Sequence, residues 1–168
     1  MPNSIVINTT PILTMIAGCG NLDILQKLYS NIIIPLEVKD EILEGGKLGF
    51  GISEFLHAKF LTISPSYVSI PNHLSEFLDK GEASVITTAL MKNIPLVCID
   101  ETEGRRFARI EKLTITAGSL GILLKARKNK FLNIPLKEII PKIIDNGIWL
   151  GQQVIQEALE EDELIIET

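Results

Sequence analysis

Short, uninterrupted apolar runs alternate along this chain with longer segments whose apolar residues recur every three or four positions. The runs at residues 4–7, 32–34 and 95–99 are rich in β-branched residues, which is typical of strands covered on both faces. Two further short strands are expected at 60–63 and 114–115. Strands alternating with helices form parallel sheets with helices on both faces, so the pattern predicts an α/β fold of that architecture.

Capping signals mark the ends of several predicted helices. Thr9 followed by Pro11 indicates a helix start directly after the first strand. Pro35 opens another helix, which runs to about residue 44. Gly45 and Gly46 end it. The other predicted helices cover residues 21–29, 73–78, 81–93, 100–112, 119–129, 136–145 and 151–161. The segment 47–80 has the weakest pattern. We expect one domain over residues 1–168, with an acidic helix and tail at 150–168.

The composition is that of a globular protein outside the membrane. Hydrophobic residues make up 46% of the chain and charged residues 22%, so a sizeable core can form. No apolar run approaches the roughly 20 residues that cross a bilayer, and no secretory leader precedes the first strand. Cys19 and Cys98 form neither a disulfide framework nor a zinc pattern. We therefore expect a cytoplasmic protein with buried, reduced cysteines.

Charge is unevenly distributed along the chain. The net charge of −5 argues against nucleic acid, yet ten of the sixteen cations lie between Arg105 and Lys142. The last dozen residues carry six acids and no cation. Backbone phosphates respond to the local patch, so this stretch could bind nucleic acid or could form ordinary solvated helix faces.

Two polar residues follow predicted strands at the place where parallel sheets bind ligands. Asn8 comes directly after the first strand and Asp100 after the strand at 95–99. In open parallel sheets, ligands bind beyond the carboxyl ends of the strands, where the strand order reverses. Asp100 has an alternative role, because with Glu103 it resembles a capping box.

Two glutamates on predicted helices are further candidates. Glu82 shares the stripe of Val85, Ile86 and Ala89, a face that should be buried, where an ionised carboxylate needs a partner. Its alternative role is a favourable interaction with the helix dipole. Glu41 lies at the edge of an apolar stripe and, taken alone, is more often a surface acid; Glu37 and Glu44 look solvent-facing.

The order of these motifs matters more than any one of them. The chain carries Ile7-Asn8-Thr9-Thr10-Pro11-Ile12-Leu13, Asn21-Leu22-Asp23-Ile24-Leu25, Ile34-Pro35 through Val38 to Glu41, Gly81-Glu82-Ala83, Ile99-Asp100-Glu101 followed by Arg105-Arg106, and Gly118-Ser119-Leu120-Gly121-Ile122-Leu123-Leu124. In this order, over roughly residues 4–150, the chain resembles the PIN-domain nucleases. The likeness is to the prokaryotic branch named DUF3368, which is grouped with toxin-like PIN proteins.

The resemblance implies a Rossmann-like sheet and a metal site at four positions. These are Asn8, Glu41, Glu82 and Asp100, with Glu101, Ser119 and Thr9 at the rim or behind the ligands. It further implies Mg²⁺- or Mn²⁺-dependent hydrolysis of single-stranded RNA, often by the toxin of a toxin–antitoxin pair. A homodimer and an antitoxin partner are expected on the same ground. Hard divalent cations prefer carboxylate oxygens, which these positions supply. Arg105 or Arg106 could hold phosphate, although either could equally be a surface arginine.

Asn8 departs from the family pattern, in which the first position is usually aspartate. Asparagine offers a neutral carbonyl oxygen but no negative charge. Three explanations stay open: a branch that still works and perhaps prefers Mn²⁺, a degenerate homologue that binds RNA or a partner without cutting, or a substitution that silences a toxic nuclease.

Two other classes of function fit the sequence less well. A phosphatase or phosphoreceiver needs an aspartate at the strand end beside further acids, whereas the first strand is followed by Asn-Thr-Thr. A nucleotide-cofactor enzyme would want a glycine-rich turn at that place, which Thr9-Thr10-Pro11 is not.

Overall fold

The computed structural model describes residues 4–45, 49–115 and 118–166. Gly46 of the predicted helix end and the last two residues of the predicted tail lie outside these ranges. The elements in chain order are β1 (Ser4–Ile7), α1 (Thr9–Cys19), α2 (Asp23–Leu28), β2 (Asn31–Ile34), α3 (Leu36–Glu44), α4 (Ile52–His57), β3 (Leu61–Ile63), α5 (Asn72–Ser75), α6 (Lys80–Met91), β4 (Leu96–Cys98), α7 (Thr102–Ile110), β5 (Thr114–Ile115), α8 (Gly118–Lys128), α9 (Leu136–Asp145) and α10 (Gln152–Ile166).

The five strands form one sheet in the order β3-β2-β1-β4-β5, and every pair is parallel. The predicted α/β fold with a parallel sheet is therefore confirmed. β1 lies at the centre, between β2 and β4, and Ile5, Val6 and Ile7 have no exposed surface. Because the chain steps outward from β1 first to one side and then to the other, the strand order reverses between β1 and β4. That reversal opens a crevice at the carboxyl ends of these two strands.

Aliphatic side chains fill the core, as the scarcity of aromatics requires. Ile12 and Met15 of α1, Val85 and Ile86 of α6 and Leu123 of α8 are all fully buried. Burial of each such side chain contributes roughly 1.5–3 kcal/mol. The residues that follow β1 and β4 are thereby held on a rigid support.

Several local predictions were wrong. The capping box with Glu103, given above as an alternative role of Asp100, does not form: α7 begins two residues later, and the side chain of Asp100 accepts hydrogen bonds from Ser119. Thr9 is the first residue of α1, and Asn8 takes the N-cap position. Glu37 is buried and not solvent-facing, because its Oε1 accepts a hydrogen bond of 2.7 Å from the backbone N–H of Val68. α4 lies in the weakly patterned segment and was not predicted.

The acidic C-terminal helix α10 docks on its own chain. Ala158 is buried, and Ile155, Leu159 and Ile165 pack against the core, in contact with α8 and α9. Arg127 donates from Nε to Asp162 at 2.7 Å in a buried ion pair, and Asp162 also accepts from the Leu136 N–H.

The same docking settles part of the question of the basic stretch. Arg127 forms an ion pair with Asp162, and Lys128 forms one with Glu161. These cations lie at the carboxyl end of α8, away from the crevice. Two of the ten cations therefore have acidic partners on α10. Among the described residues, no helix is long and apolar enough to cross a membrane.

Candidate metal centre

Asn8 stands at the mouth of the crevice. Its backbone N–H donates to the carbonyl of Cys98 at 3.1 Å, which ties the end of β1 to the end of β4. Its side chain is buried, and Oδ1 has no hydrogen-bond partner among the described residues. A buried carbonyl oxygen without a donor is costly, so this atom is a ready acceptor for a ligand.

Glu41 reaches the same place from the last turn of α3. Thr9 donates from Oγ1 to Glu41 Oε2 at 2.8 Å, which orients the partly exposed carboxylate. Gly81 forms the facing wall: a Cβ there would lie 2.7 Å from Glu41 Oε2 and 2.9 Å from Asn8 Oδ1. Only a residue without a side chain therefore lets both oxygens approach the first turn of α6.

Glu82 is buried in the first turn of α6. Asp79 accepts from the Glu82 N–H at 2.8 Å, and Glu82 Oε2 accepts from the Asp79 N–H at 3.1 Å, so the two form a capping box. Burial, with the charges of Asp79, Glu101 and Glu41, raises the pKa of Glu82 to about 7. The carboxylate is thus a capping group and, at the same time, a member of the acidic cluster.

Asp100 follows β4 after one residue and is fixed by α8. Its Oδ1 accepts from the Ser119 N–H at 2.7 Å, and its Oδ2 accepts from Ser119 Oγ at 2.9 Å. Gly118, at φ +67°, leaves the room for this contact, because a Cβ there would lie 2.6 Å from Asp100 Oδ1. Burial raises the pKa of Asp100, whereas the Ser119 hydrogen bonds and the charge of Arg105 oppose that rise.

Glu101 has a more central place than the rim position expected for it. Thr10 donates to its Oε1 at 2.9 Å, and its Oε2 is buried with no hydrogen-bond partner in the described parts of the chain. Its charge contributes to the raised pKa of Glu41, of Glu82 and of Asp100. In the sequence, only the family motif Ile99-Asp100-Glu101 singled out Glu101; no local pattern distinguished it from an ordinary surface acid beside Asp100.

The charge of Glu101 acts on Glu41, Glu82 and Asp100, so these acids repel one another. The crevice has two parts: Glu41, Asp79 and Gly81 line one, and Asp100 and Glu101 line the other. For Glu41 the pKa is raised chiefly by partial burial and then by the charges of Asp79 and Glu101. Within residues 4–45, 49–115 and 118–166, no three acidic, histidine or cysteine side chains meet closely enough to form a ready-made metal cage. Oxygen donors, mutual repulsion and two unpartnered buried acceptors nevertheless fit a hard divalent cation that keeps part of its water shell.

The two arginines differ in their surroundings. Arg106 donates from Nε and Nη2 to Glu103 and lies over the Phe107 ring, so it is an exposed, paired surface arginine. Arg105 is half-buried, and its Nε has no hydrogen-bond partner among the residues described. Of the two, Arg105 faces the site.

Sequence reasoning missed three residues that build the crevice. Asp79 could have been found, since Asp79-Lys80-Gly81-Glu82 has the spacing of a capping box. The contacts of Thr10 with Glu101 and of Gly81 with Asn8 link distant segments and leave no local pattern.

A groove of about 410 Å³ continues from the acids along the surface. Asp100, Glu101, Arg105 and Ser119 line one part of it, and Trp149, Leu150 and Val154 line another. The crevice is therefore open toward a larger ligand and not only toward an ion.

Comparison with known proteins agrees with the fold. No curated protein matches the chain. The family model DUF3368, described as a PIN domain, matches residues 4–163, which is nearly the whole chain. PIN domains are generally metal-dependent nucleases, and the match suggests a function of that kind. The chain belongs to the PIN-domain family.

Proposed function

We propose that this protein is an endoribonuclease that hydrolyses single-stranded RNA with Mg²⁺ or Mn²⁺. The observation that carries the proposal is the crevice itself. It holds mutually repelling carboxylates, of which that of Glu82 is buried, and two acceptors without a hydrogen-bond partner in the described part of the chain, Asn8 Oδ1 and Glu101 Oε2. A divalent cation would offset the repulsion and would give both orphaned oxygens a partner.

Glu41, Glu82, Glu101 and Asp100 would hold the cation, with Asn8 as a neutral ligand. When bound, the ion supplies a water of lowered pKa and stabilises charge on the leaving oxygen. Ser119 fixes the orientation of Asp100, and Thr9 fixes that of Glu41. Arg105, at the edge of the groove, binds a phosphate of the substrate. The toxin role, an antitoxin partner and a homodimer belong to the same proposal and rest on the family resemblance.

The test is cleavage of a labelled RNA that contains single-stranded loops, with Mn²⁺ or Mg²⁺. Three proteins are compared: the chain as given, Asn8→Asp and Asp100→Asn. We expect metal-dependent cleavage by the first two and none by Asp100→Asn. Cleavage that survives both Asp100→Asn and a chelator would contradict the proposal, because it would have to come from another site or a contaminant.

Asn8 favours a second candidate, a PIN-like module that binds RNA or a protein without cutting. The loss of one negative charge at ~4 Å weakens a unit-charge attraction by about 4 kcal/mol at an effective dielectric near 20. Cleavage that appears only with Asn8→Asp would mean that the scaffold is intact and is disabled at this position. RNA binding without cleavage by any of the three proteins would establish the binding module.

A further inference from the structure

The chain's single tryptophan lies in the groove beside the acidic crevice. Trp149 belongs to the extended connection between α9 and α10, and 84% of its surface is exposed. It lines the groove together with Asp100, Glu101 and Arg105. In this groove Trp149 lies beside Leu150 and the exposed Val154, and contiguous apolar surface rimmed by polar residues is typical of ligand-binding grooves.

The indole lies close to Gly151. A Cβ on Gly151 would lie 3.6 Å from Trp149 Cη2 and 3.7 Å from a methyl carbon of Val154. The six-membered ring therefore rests near the start of α10, and most of the indole remains available to a flat partner. Among the described residues, Val154 is the one residue of α10 that lines the groove, and 42% of its surface is exposed.

We propose that Trp149 is a stacking platform for a nucleobase of the single-stranded RNA, next to the phosphate held at the metal centre. The inference rests on the proposed function and adds a base-binding subsite to it. Two properties of the groove favour a nucleic acid over an apolar peptide. It combines one aromatic ring with the half-buried guanidinium of Arg105, whose Nε has no hydrogen-bond partner in the described residues. The adjoining carboxylates repel the phosphates of such a ligand, so binding should be tighter with Ca²⁺ than in EDTA.

Stacking on an exposed aromatic ring is tolerant of base identity, because every base has a π-face. The subsite would therefore position a splayed single strand and would exclude a duplex, whose bases are already stacked. Trp149 is thus a binding residue and does not touch the reacting atoms.

The experiment uses the fluorescence of Trp149, which reports on this site alone because the chain has one tryptophan. The full chain is titrated with a short single-stranded oligoadenylate in EDTA, and again with Ca²⁺. An abasic oligomer with the same number of phosphates serves as the probe without bases. We expect saturable quenching by the oligoadenylate and little change with the abasic oligomer.

Affinity is then measured by anisotropy of labelled oligoadenylate. Trp149→Ala should weaken binding about 5- to 150-fold, the range for loss of one stacked base, whereas Trp149→Phe should retain most of the affinity. Phe131→Ala is the matched control, since Phe131 is an exposed aromatic residue 40% accessible and outside the groove. Thermal melts of all variants report whether the fold is intact.

The outcomes separate this inference from the proposed function. Quenching by RNA without cleavage in any variant would support the stacking platform and overturn the enzyme. Metal-dependent cleavage with unchanged fluorescence, or equal binding by Trp149→Ala and the native chain, would overturn the platform and leave the enzyme standing. Fluorescence that changes with protein concentration in the absence of RNA, together with a lower oligomeric state of the Trp149→Ala protein, would show that a second copy of the chain covers the ring. That result would overturn the inference.

Discussion

At the scale of single residues, the site is defined by buried oxygen atoms that lack hydrogen-bond partners among the described residues. Asn8 Oδ1 and Glu101 Oε2 are buried acceptors without donors in the described residues, within a set of carboxylates whose pKa values are raised. A folded protein rarely leaves such atoms without a partner unless a ligand completes them. At Asn8, exchange of the amide nitrogen for a carboxylate oxygen should change how strongly a cation is held.

Asn8→Asp should tighten Mn²⁺ binding by up to roughly a hundredfold, the equivalent of ~3 kcal/mol. The reason is the added negative charge at an oxygen that already points into the crevice. In the metal-free protein, the same charge should lower the melting temperature, because it adds to the repulsion. Isothermal titration with Mn²⁺ and thermal melts in EDTA measure the two effects.

Asn21→Asp is the matched control, since it makes the same change of charge where Asn21 Oδ1 caps the Asp23 N–H at the start of α2. It should leave Mn²⁺ affinity unchanged. Equal gains in affinity from the two variants would show that net charge, and not the crevice, governs binding.

At the scale of elements, backbone forms much of the wall of the crevice. α6 approaches Asn8 and Glu41 through Gly81, and α8 approaches Asp100 through Gly118. Helix starts meet carboxylates at both contacts, which favours the negative charge of the acids. The approach of these helices therefore sets the spacing of the ligands.

Gly81→Ala should separate stability from metal binding. Alanine is the better helix former, by up to about 1 kcal/mol, but its Cβ would lie under 3 Å from the flexible end of Glu41 and from the buried Asn8 Oδ1, so the two effects on stability oppose each other. We expect little change of the melting temperature in EDTA, together with a loss of Mn²⁺ affinity of about 10-fold or more. A variant that melts earlier and binds Mn²⁺ normally would contradict the assignment of Gly81 to the wall.

The docking of α10 gives a second prediction at this scale. Asp162→Ala leaves the buried Arg127 without its partner and should lower the free energy of unfolding by about 3–5 kcal/mol. Glu161→Ala removes the exposed pair with Lys128, about half accessible on both sides, and should cost less than about 1 kcal/mol. Urea denaturation of the two variants compares them directly; equal losses would mean that the buried pair adds nothing to the docking.

At the scale of the whole molecule, folding and metal binding share one source of free energy. The fold brings together acids that repel one another, so the metal-free protein carries a cost that depends on pH. Glu82 has an ordinary pKa of 4.5, raised to about 7 by burial in the folded protein. Between these values the folded state binds more protons than the unfolded chain, and the free energy of unfolding must fall as the pH rises.

The melting temperature in EDTA should therefore decrease from pH 4.5 to pH 7 through this group and level off above. Mn²⁺ selects the ionised carboxylate, so its stabilising effect should grow across the same window. Differential scanning fluorimetry at a series of pH values, with and without Mn²⁺, tests both. Glu82→Gln should flatten the slope. Glu103→Gln, on the exposed face of α7, should not; equal slopes for the native chain and Glu82→Gln would refute the linkage.

How far sequence predicted this molecule depends on the range of each contact. The strands were predictable because runs such as Ile32-Ile33-Ile34 allow only a doubly covered strand, and the strand ends then located Asn8 and Asp100. The alternative role of Asp100 as a helix cap was wrong because its hydrogen-bond partner, Ser119, lies nineteen residues away, while Glu103 is only three away. The prediction that Glu37 faces solvent was wrong for the same reason, since the Val68 N–H that donates to its carboxylate lies thirty-one residues away. Local patterns capture periodicity, but not which distant donor a carboxylate meets.

The course of α10 has a practical consequence for handling the protein. Its fifteen residues begin at the groove, which Val154 lines, and extend about 22 Å, at 1.5 Å per residue, to Ile166. The exposed Glu163 and Leu164 thus lie several turns from Trp149, on a helix that Asp162 anchors. Immobilisation of the protein on a sensor surface through this far end would present the groove to the flowing solution, with the anchored helix serving as a stiff spacer.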